Sequence, residues 1–239
     1  MNLVLFTPDE ISDPLLRSDP RAVHILSVLK RQPGESFDAG LINGPLGRGT
    51  LLSSESDTLV LSFAWGGPPP PPEPVILIIG LPRPQTARDI LRDATTLGVT
   101  AIHFVLTEKG EGNYARSSLW TTTEWRRHLV TGASQAFTTQ IPEITHGRTL
   151  AETLANLPAS GHRLALDNYE AAAPLGRWRL AHGSQVVLAL GPERGWSAGD
   201  RMALRNETFG FVHLGPRVLR CETAVVAALT LVWAARDRP

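Results

Sequence analysis

The chain has very little cysteine and no long hydrophobic run, and each absence excludes a class of protein. Cys221 is the single cysteine among 239 residues, so no internal disulfide can form and a cysteine-based metal site has no second thiol. No apolar run reaches the roughly 18 to 20 residues of a membrane span, and the N-terminus lacks the pattern of a signal peptide. We therefore expect a soluble cytoplasmic protein without a membrane partner.

The chain also lacks an excess of charge of either sign. It carries 23 Lys and Arg against 23 Asp and Glu, so an anionic partner would have to bind a local basic patch. The histidines show no H-E-x-x-H or other paired ligand spacing, and no serine lies in a G-x-S-x-G motif. The sequence therefore predicts no metal site and disfavours a hydrolase.

Proline is concentrated in one segment that divides the chain. "WGGPPPPPEP" combines flexible glycines with a proline run that favours extended polyproline II, which is typical of a semi-rigid spacer. This composition predicts a first domain over residues 1–65, a linker over 66–74 and a second domain over 75–239.

The first domain has the pattern of a small β-structure with one helix. In "DPRAVHILSVLKR", Asp19 can cap a helix that has Pro20 at its first position. The runs "SFDAGLI", "RGTLLSS" and "DTLVLSF" have the alternation of short strands. Barrels of this size often bind RNA, although the pattern alone fits a structural module equally well.

The second domain alternates strands with helices, which predicts an α/β sheet. "PVILIIGL" is apolar throughout, as strands buried on both faces of a parallel sheet are. Further strands are expected at "VTAIHFVLT", "HRLALDN", "SQVVLALG" and "GFVHLG". Helices are expected at "TARDILRDATTLG", "TTTEWRRHLVTGASQAF", "SAGDRMALRNETF" and "ETAVVAALTLVWAARD".

Two glycine-rich loops follow strands of this second domain, "LALGPERGWS" and "VHLGPRVLRCETA". Ligands of open α/β sheets bind at the carboxyl ends of strands, and glycine lets the backbone approach a flat ligand closely. Ser197 and Asp200 have the spacing of a capping box at the helix that follows the first loop. The chain has neither G-x-x-x-x-G-K-[ST] nor G-x-G-x-x-G, which weakens a phosphate-binding or dinucleotide interpretation.

The same two segments carry a resemblance to a known family. "LALGPERGWSAGD" and "FGFVHLGPRVLRCETAVVAAL" resemble the paired signatures of the RsmE family, the 16S rRNA uridine-N3 methyltransferases of the SPOUT, or trefoil-knotted, superfamily. Weaker matches follow the family's order elsewhere, among them "RAVHILSVLKRQPGE" and "ILRDATTLGVTAIHFVLTEK". The resemblance covers most of the chain.

The resemblance implies a fold that periodicity alone does not predict. Its members have an N-terminal PUA-like β-barrel and a C-terminal α/β domain whose last segment is threaded into a knot, a rare arrangement. It further implies a homodimer that acts on small-subunit rRNA and uses S-adenosylmethionine as cofactor. The cofactor-binding residues that it implies are Leu190, Gly191, Pro192, Glu193, Gly195, Leu214, Gly215, Leu219 and Thr223.

The family's reaction is methyl transfer to an imide nitrogen of uridine. That nitrogen is a poor nucleophile until its proton leaves, and a positioned cation stabilises the resulting anion. Arg220 and Arg217 are the candidates for this cation. Glu222 is a third catalytic candidate, which either orients an arginine or, with Thr223, simply begins the last helix, where a carboxylate complements the helix dipole. Glu193 is either a cofactor contact or an organiser of its loop.

The chain departs from the family pattern at several expected RNA contacts. Arg194 replaces the second glycine of a pair, and Lys109 and Thr138 stand where arginines are usual. We expect Arg194, Lys109 and Lys30 to contact RNA, and Trp196 is a candidate to pack under a base or against a second subunit. Two functions are thus open: an S-adenosylmethionine-dependent uridine-N3 methyltransferase of 16S rRNA, or a non-catalytic or retargeted RNA-binding or ribosome-assembly protein that retains the knotted cofactor pocket.

Overall fold

The structure, a computed structural model, describes residues 3–55 and 57–236. Within these residues, no helix is both long enough and apolar enough to cross a membrane. The chain forms two compact units. The N-terminal unit comprises Met1–Pro71 with Val130–Ile141, and the C-terminal unit comprises Pro72–Leu129 with Pro142–Pro239.

The domain boundaries predicted from the sequence, 1–65, 66–74 and 75–239, stay a prediction. The proline-rich segment contains the chain position at which the first unit gives way to the second, between Pro71 and Pro72. The return of Val130–Ile141 to the N-terminal unit depends on contacts distant in sequence, since Ala133 packs with Leu3 and Leu5.

The N-terminal unit is built on a five-stranded sheet. Two of its strands, Ser36–Leu41 and Thr58–Trp65, largely alternate less and more exposed side chains, because one face covers a core and the other does not. Phe6, Phe37, Leu51 and Leu59 are at most 1% exposed within that core. The strands are β1 (Val4–Phe6), β2 (Leu15–Leu16), β3 (Ser36–Leu41), β4 (Leu46–Ser53) and β5 (Thr58–Trp65).

The order across this sheet is β1-β3-β4-β5-β2; β1 and β3 pair in parallel and the other neighbours are antiparallel. The predicted helix begins as expected, because the carboxylate of Asp19 accepts the backbone N–H of Arg21 at 2.8 Å. It is not a uniform α-helix, however. After α1 (Pro20–Val23) it widens into a π-helical turn, His24–Val28, in which the N–H of Leu29 donates to the carbonyl of His24.

The C-terminal unit contains a seven-stranded sheet whose paired strands are all parallel. The five strands predicted for this domain are confirmed, whereas β8 and the two-residue β10 were not predicted. The strands are β6 (Val75–Gly80), β7 (Ala101–Leu106), β8 (Glu143–Thr149), β9 (His162–Leu166), β10 (Ala173–Pro174), β11 (Val186–Leu190) and β12 (Gly210–His213).

The four helices predicted for this domain are confirmed, whereas two short helices, α3 (Ser118–Thr121) and α5 (Leu150–Leu154), were not predicted. Pro84 occupies the first turn of the first predicted helix, and Gly98, with φ of 81°, lies just beyond its end. The last helix packs against it and buries Val225, Leu229 and Val232. The helices are α2 (Pro84–Thr96), α3 (Ser118–Thr121), α4 (Glu124–Gln135), α5 (Leu150–Leu154), α6 (Ala198–Asn206) and α7 (Cys221–Ala235).

The strand order in the C-terminal sheet is β10-β12-β9-β11-β6-β7-β8. Its centre is apolar, since every residue of β6 and β11 is buried. The predicted architecture is confirmed: a small β-domain precedes a parallel α/β domain. The sheet order places the ends of β12, β9, β11 and β6 side by side, and these ends form the candidate site.

Candidate functional site

Three loops at one edge of the C-terminal sheet line a common cavity. They are the β9 loop (167–170), the β11 loop (191–197) and the β12 loop (214–219). Because β12, β9, β11 and β6 are neighbouring parallel strands, their carboxyl ends meet at this edge. The sequence predicts the β11 and β12 loops to lie together. The structure adds the β9 loop, which leaves the sheet between them.

The β11 loop is a tight turn that packs on the end of β6. The N–H of Gly195 donates to the carbonyl of Pro192 at 2.7 Å, and Gly195 has a φ of 66°, which favours glycine. A Cβ on Gly80 would lie 2.4 Å from Cδ of Pro192, so only glycine fits at the end of β6. Two glycines therefore determine the course of the loop: Gly195 allows the turn, and Gly80 leaves room for Pro192.

Glu193 connects the β11 loop to the segment between β6 and α2. Its Oε1 accepts the backbone N–H of Arg83 at 3.0 Å and lies 3.7 Å from Nε of the same residue. These contacts support the loop-organising role among the two left open for Glu193. The adjacent Arg194 is exposed and lines the cavity, and its side chain has no hydrogen bond or ion pair with another residue in 3–55 or 57–236.

Trp196 anchors the β11 loop in the protein interior. Its side chain is 1% exposed and belongs to the core cluster that includes Leu204 and Phe209. Its indole Nε1 donates to the carbonyl of Leu166, the last residue of β9, at 3.0 Å. The expectation that Trp196 packs under a base or against a second subunit is wrong, because its ring is enclosed by this core.

The β11 loop leads directly into α6 through the predicted capping box, which is confirmed. The hydroxyl of Ser197 accepts the N–H of Asp200 at 2.9 Å, and the carboxylate of Asp200 accepts the N–H of Ser197 at 2.9 Å. Nζ of Lys109 donates to the carbonyl of Trp196 at 3.0 Å. The C-terminal end of this loop is thus held by hydrogen bonds to α6 and to Lys109.

The β12 loop presents cationic and apolar side chains to solvent. Gly215 has a φ of 121°, and its N–H donates to Nδ1 of His213 at 3.1 Å. Arg217 and Val218 are exposed and line the cavity, Val218 being 82% exposed. Arg220 follows as the N-cap residue of α7 and makes no capping hydrogen bond through its side chain.

Cys221, the first residue of α7, contacts the start of the β11 loop. Its Sγ lies 3.8 Å from the carbonyl of Gly191, to which it donates. Burial, together with the charges of Glu193 and Glu222, raises the pKa of the Cys221 thiol to about 12. The thiol is therefore neutral at physiological pH and acts as a packing residue. Because the sequence has no second cysteine, Cys221 also has no partner for an internal disulfide.

The cavity has a volume of about 270 Å³, close to the lower end of the roughly 300–1,000 Å³ typical of small-molecule pockets. Glycine and proline backbone and apolar side chains form much of its wall, and a few charged groups reach it. Within residues 3–55 and 57–236, no group of three or more His, Cys, Asp or Glu side chains is placed to hold a metal ion. The apolar residues of the wall are Leu166, Leu190, Pro192, Trp196, Leu214, Val218, Leu219 and Ala224.

The structure brings together most of the predicted site residues. Gly215 and Thr223 do not line the cavity, and neither do Arg220 and Glu222, which adjoin residues that do. Glu222 lies in the first turn of α7, where its charge complements the helix dipole. The predicted residues that line the cavity are Leu190, Gly191, Pro192, Glu193, Arg194, Gly195, Leu214, Arg217 and Leu219.

The two lysines predicted to bind RNA lie outside the cavity wall. Lys109 is exposed, but its amine holds the carbonyl of Trp196. Lys30 belongs to the N-terminal unit, at an exposed position with a φ of 53°. The roles of the predicted catalytic, cofactor-binding and RNA-binding residues stay predictions.

The polar and aromatic residues at the cavity that were not predicted are Asp167, Asn168 and Tyr169 of the β9 loop, and Arg201 of α6. The available signal was "LALDNYE", in which polar and aromatic residues follow a strand. Its proximity to the other two loops depends on β9 lying between β11 and β12, and no local pattern reveals that order.

Comparison with known proteins agrees with this geometry. Residues 69–233 match a family model described as an RNA methyltransferase domain. The chain is similar to the ribosomal RNA small subunit methyltransferase E of Treponema pallidum, with 36% identity over 98% of this chain and 91% of the relative. The similarity therefore extends through both compact units.

Solved structures support the fold independently. A probable rRNA methyltransferase from Porphyromonas gingivalis superposes with a TM-score of 0.80 at 21% identity, over 98% of each chain. The ribosomal RNA small subunit methyltransferase E of Neisseria gonorrhoeae, solved bound to S-adenosyl methionine, superposes with a TM-score of 0.77 at 23% identity, over 98% of this chain and 97% of that one. At these identities the likeness establishes the architecture.

Proposed function

Because the chain belongs to the RsmE family of ribosomal RNA small subunit methyltransferases, we propose that it transfers a methyl group from S-adenosylmethionine to a base of 16S rRNA. The observation that carries this proposal is the cavity at the ends of β9, β11 and β12, whose wall contains residues of both family signature segments. The binding of S-adenosyl methionine by the relative from Neisseria gonorrhoeae supports the identity of the cofactor.

The residues at the cavity fit this cofactor. Gly191, Pro192 and Gly195 expose backbone without side-chain bulk, and Leu190, Leu214 and Leu219 supply apolar walls suited to a flat adenine. The carboxylate of Glu193 also lies at the wall, where its hydrogen bond with the N–H of Arg83 holds the β11 loop in place. When bound, S-adenosylmethionine supplies a methyl group on a positively charged sulfur, which retains the bonding electrons as the methyl group leaves.

The side chains of the β12 loop act on the acceptor base. Methyl transfer requires the acceptor atom to lie in line with the methyl carbon, so positioning supplies much of the rate enhancement. We assign the acceptor as N3 of a uracil, which gives its proton to solvent water before it forms the new bond to the methyl carbon. Arg217, exposed at the cavity, and Arg220, at the start of α7, are placed to stabilise the charge on the flanking carbonyl oxygens.

Two further features complete the proposal. The protein acts as a homodimer in the cytoplasm, where small ribosomal subunits assemble. In support, the apolar helix α7 adjoins the cavity and leaves Val226 37% exposed on its surface. Light scattering coupled to size exclusion measures the subunit number directly, and a monomer at micromolar concentration contradicts this part.

Calorimetric titration with S-adenosylmethionine tests the cavity. We expect a saturable 1:1 binding isotherm per chain. The matched control is a variant with Leu190→Trp, which fills the cavity from the end of β11 and abolishes binding. If the wild-type protein binds no S-adenosylmethionine at millimolar concentration, both the cavity assignment and the enzymatic function are overturned.

Nucleoside mass spectrometry tests the reaction and separates it from a binding-only role. The 16S rRNA of cells that lack the protein is expected to lose one 3-methyluridine, and the purified protein with S-adenosylmethionine is expected to restore it. Loss of a different methylated nucleoside refutes the N3 assignment. Unchanged methylation would instead favour an RNA-binding or assembly protein that retains the cofactor pocket.

A further inference from the structure

An exposed aromatic ring lies at the mouth of the cavity. Tyr169, in the β9 loop, lines the cavity although 83% of its surface is exposed. Trp196 in the opposite loop is only 1% exposed, so it offers no comparable ring surface. Single exposed apolar residues are common on protein surfaces, so exposure alone assigns no role. What distinguishes Tyr169 is the buried polar network that holds its backbone.

The carboxylate of Asp167 fixes the β9 loop. Its side chain is 2% exposed, and its Oδ1 accepts the backbone N–H groups of Tyr169 at 2.6 Å and Glu170 at 2.8 Å. Two N–H groups bound to one carboxylate oxygen define a turn that directs the chain over the end of β9. The conformation of the residue that carries the exposed ring is thus set by a buried acidic side chain.

Arg201 ties this turn to α6. Its Nε donates to Oδ2 of Asp167 at 2.7 Å, with only 11% of the arginine side chain exposed. Its guanidinium carbon lies 5.6 Å from the centroid of the Tyr169 ring, a cation–π contact. Helix α6 begins at the capping box of Ser197 and Asp200, where the β11 loop ends. The ring of Tyr169 is therefore linked to the β11 loop through Arg201 and the first turn of α6.

The Asp167–Arg201 pair has the character of a positioning device. Burying two charges has a desolvation cost that a well-packed apolar pair avoids, so such pairs contribute little net stability. The contribution of this one is geometric, because it fixes the β9 loop against α6. The result is an aromatic side chain at the rim whose backbone is held in place.

We propose that the ring of Tyr169 stacks on a nucleobase of the RNA substrate at the mouth of the cavity, and that Asp167 and Arg201 are positioning residues for it. This inference rests on the proposed function. A base that reacts inside a pocket must leave its stack, and an aromatic side chain at the entrance replaces the lost stacking. The exposure of the ring favours the RNA over the cofactor, because a contact to a buried adenine requires an enclosed surface.

Steady-state kinetics of Tyr169→Ala and Tyr169→Phe test the stacking. The probe is an unmodified 16S rRNA transcript, or isolated small subunits lacking the modification if these are the substrate. We expect Tyr169→Ala to raise the KM for RNA about 5- to 150-fold, the range for loss of one stacked base, and Tyr169→Phe to retain most of the wild-type value. The control is Met202→Ala, since Met202 is 62% exposed on α6 but does not line the cavity.

Calorimetry with S-adenosylmethionine on the same variants decides between RNA and cofactor. Cofactor affinity is expected to stay within twofold of wild type in Tyr169→Ala. If Tyr169→Ala loses cofactor affinity while its KM for RNA is unchanged, the inference is overturned. It is also overturned if neither the cofactor affinity nor the KM for RNA of this variant changes. If the wild-type protein proves inactive, the proposed function fails separately, and filter binding of the transcript by the three variants still tests the stacking.

A double-mutant cycle tests the positioning role. Asp167→Asn removes the charge that holds Arg201, and it is expected to raise the KM for RNA more than it lowers kcat. Because Asp167 acts through the ring, Asp167→Asn combined with Tyr169→Ala is expected to be no worse than Tyr169→Ala alone. Additive losses overturn the positioning role. Thermal melting and cofactor calorimetry of each variant establish that a loss does not come from unfolding.

Discussion

Oε1 of Glu193 accepts the backbone N–H of Arg83 at 3.0 Å, although the two residues are 110 positions apart in the chain. The bond joins the β11 loop to the segment that leads from β6 into α2. Glu193, the acidic residue of the family signature, therefore has a structural role. The loop that forms one wall of the cavity is thereby held at its centre as well as at its C-terminal end.

The first prediction concerns this bond. Glu193→Ala leaves the N–H of Arg83 without its acceptor, so we expect S-adenosylmethionine to bind about 2- to 12-fold more weakly, equivalent to roughly 0.5–1.5 kcal/mol for one hydrogen bond. Glu193→Gln keeps an acceptor oxygen and is expected to bind nearly as well as wild type. Calorimetry measures both, and equal losses in the two variants would show that the charge, rather than the bond, matters.

The second prediction concerns Gly80. A Cβ at this position would lie 2.4 Å from Cδ and 2.5 Å from the backbone nitrogen of Pro192, so Gly80→Ala must displace the β11 loop or the end of β6. We expect a loss of about 1–3 kcal/mol in the free energy of unfolding, as for other overpacked sites, with weaker cofactor binding. Urea denaturation measures the first effect.

The control for Gly80 is Gly176→Ala. Its added Cβ would find its nearest neighbour at 3.8 Å, an ordinary contact, so the stability of this variant is expected to match or slightly exceed that of wild type. Equal stability of the two variants would contradict the close packing between β6 and the β11 loop.

The third prediction separates the two arginines proposed to act in catalysis. Arg220 does not line the cavity, so Arg220→Ala is expected to lower kcat about 10²- to 10³-fold with cofactor affinity within a few-fold of wild type. Arg220→Lys is not expected to restore activity if the contact is bidentate. Arg217 lines the cavity, so Arg217→Ala is expected to affect both cofactor affinity and turnover.

Single-turnover methylation assays and calorimetry distinguish the two arginine variants, with the exposed Arg177→Ala as the control. Loss of cofactor affinity in Arg220→Ala equal to its loss of turnover would place Arg220 at the cofactor instead of at the acceptor base.

The fourth prediction concerns the pH dependence of stability. Burial raises the pKa of the Cys221 thiol from 9.0 to about 12, so above pH 9 the unfolded chain releases this proton while the folded chain retains it. The free energy of unfolding is therefore expected to fall with rising pH between these values, by about 1.4 kcal/mol per pH unit from this group. Cys221→Ala removes the titration.

Urea denaturation of wild type and Cys221→Ala from pH 8 to pH 10.5, with a reductant present, measures the difference between their pH slopes. Parallel slopes would show that the thiol ionises normally in the folded protein. The native protein is also expected to resist iodoacetamide at pH 8, because alkylation requires the thiolate.

The sequence predicts those parts of the structure that local patterns determine. The buried strands β6 and β11, the capping box of Ser197 and Asp200, and the two glycine-rich loops all follow from short-range chemistry. The family resemblance supplies the overall architecture. The resemblance does not supply the contacts particular to this chain, such as the amine of Lys109 on the carbonyl of Trp196.

The residues that escaped prediction are those whose position depends on strand order. Asp167 and Tyr169 become cavity residues only because β9 lies between β11 and β12. The burial of Trp196 has the same origin, since its indole reaches the carbonyl at the end of β9. The cavity position of Asp167 and Tyr169 and the burial of Trp196 both depend on residues distant in the sequence. Periodicity and spacing could therefore not predict them.

The position of β9 between β11 and β12 also has a consequence for folding kinetics. The cavity has complete walls only after all three strands have paired, and these strands are separated by helices and loops that must close first. A partly folded chain therefore has no complete cavity. A ligand of this cavity stabilises the native state without stabilising earlier intermediates, so it slows unfolding and leaves the early steps of folding unchanged.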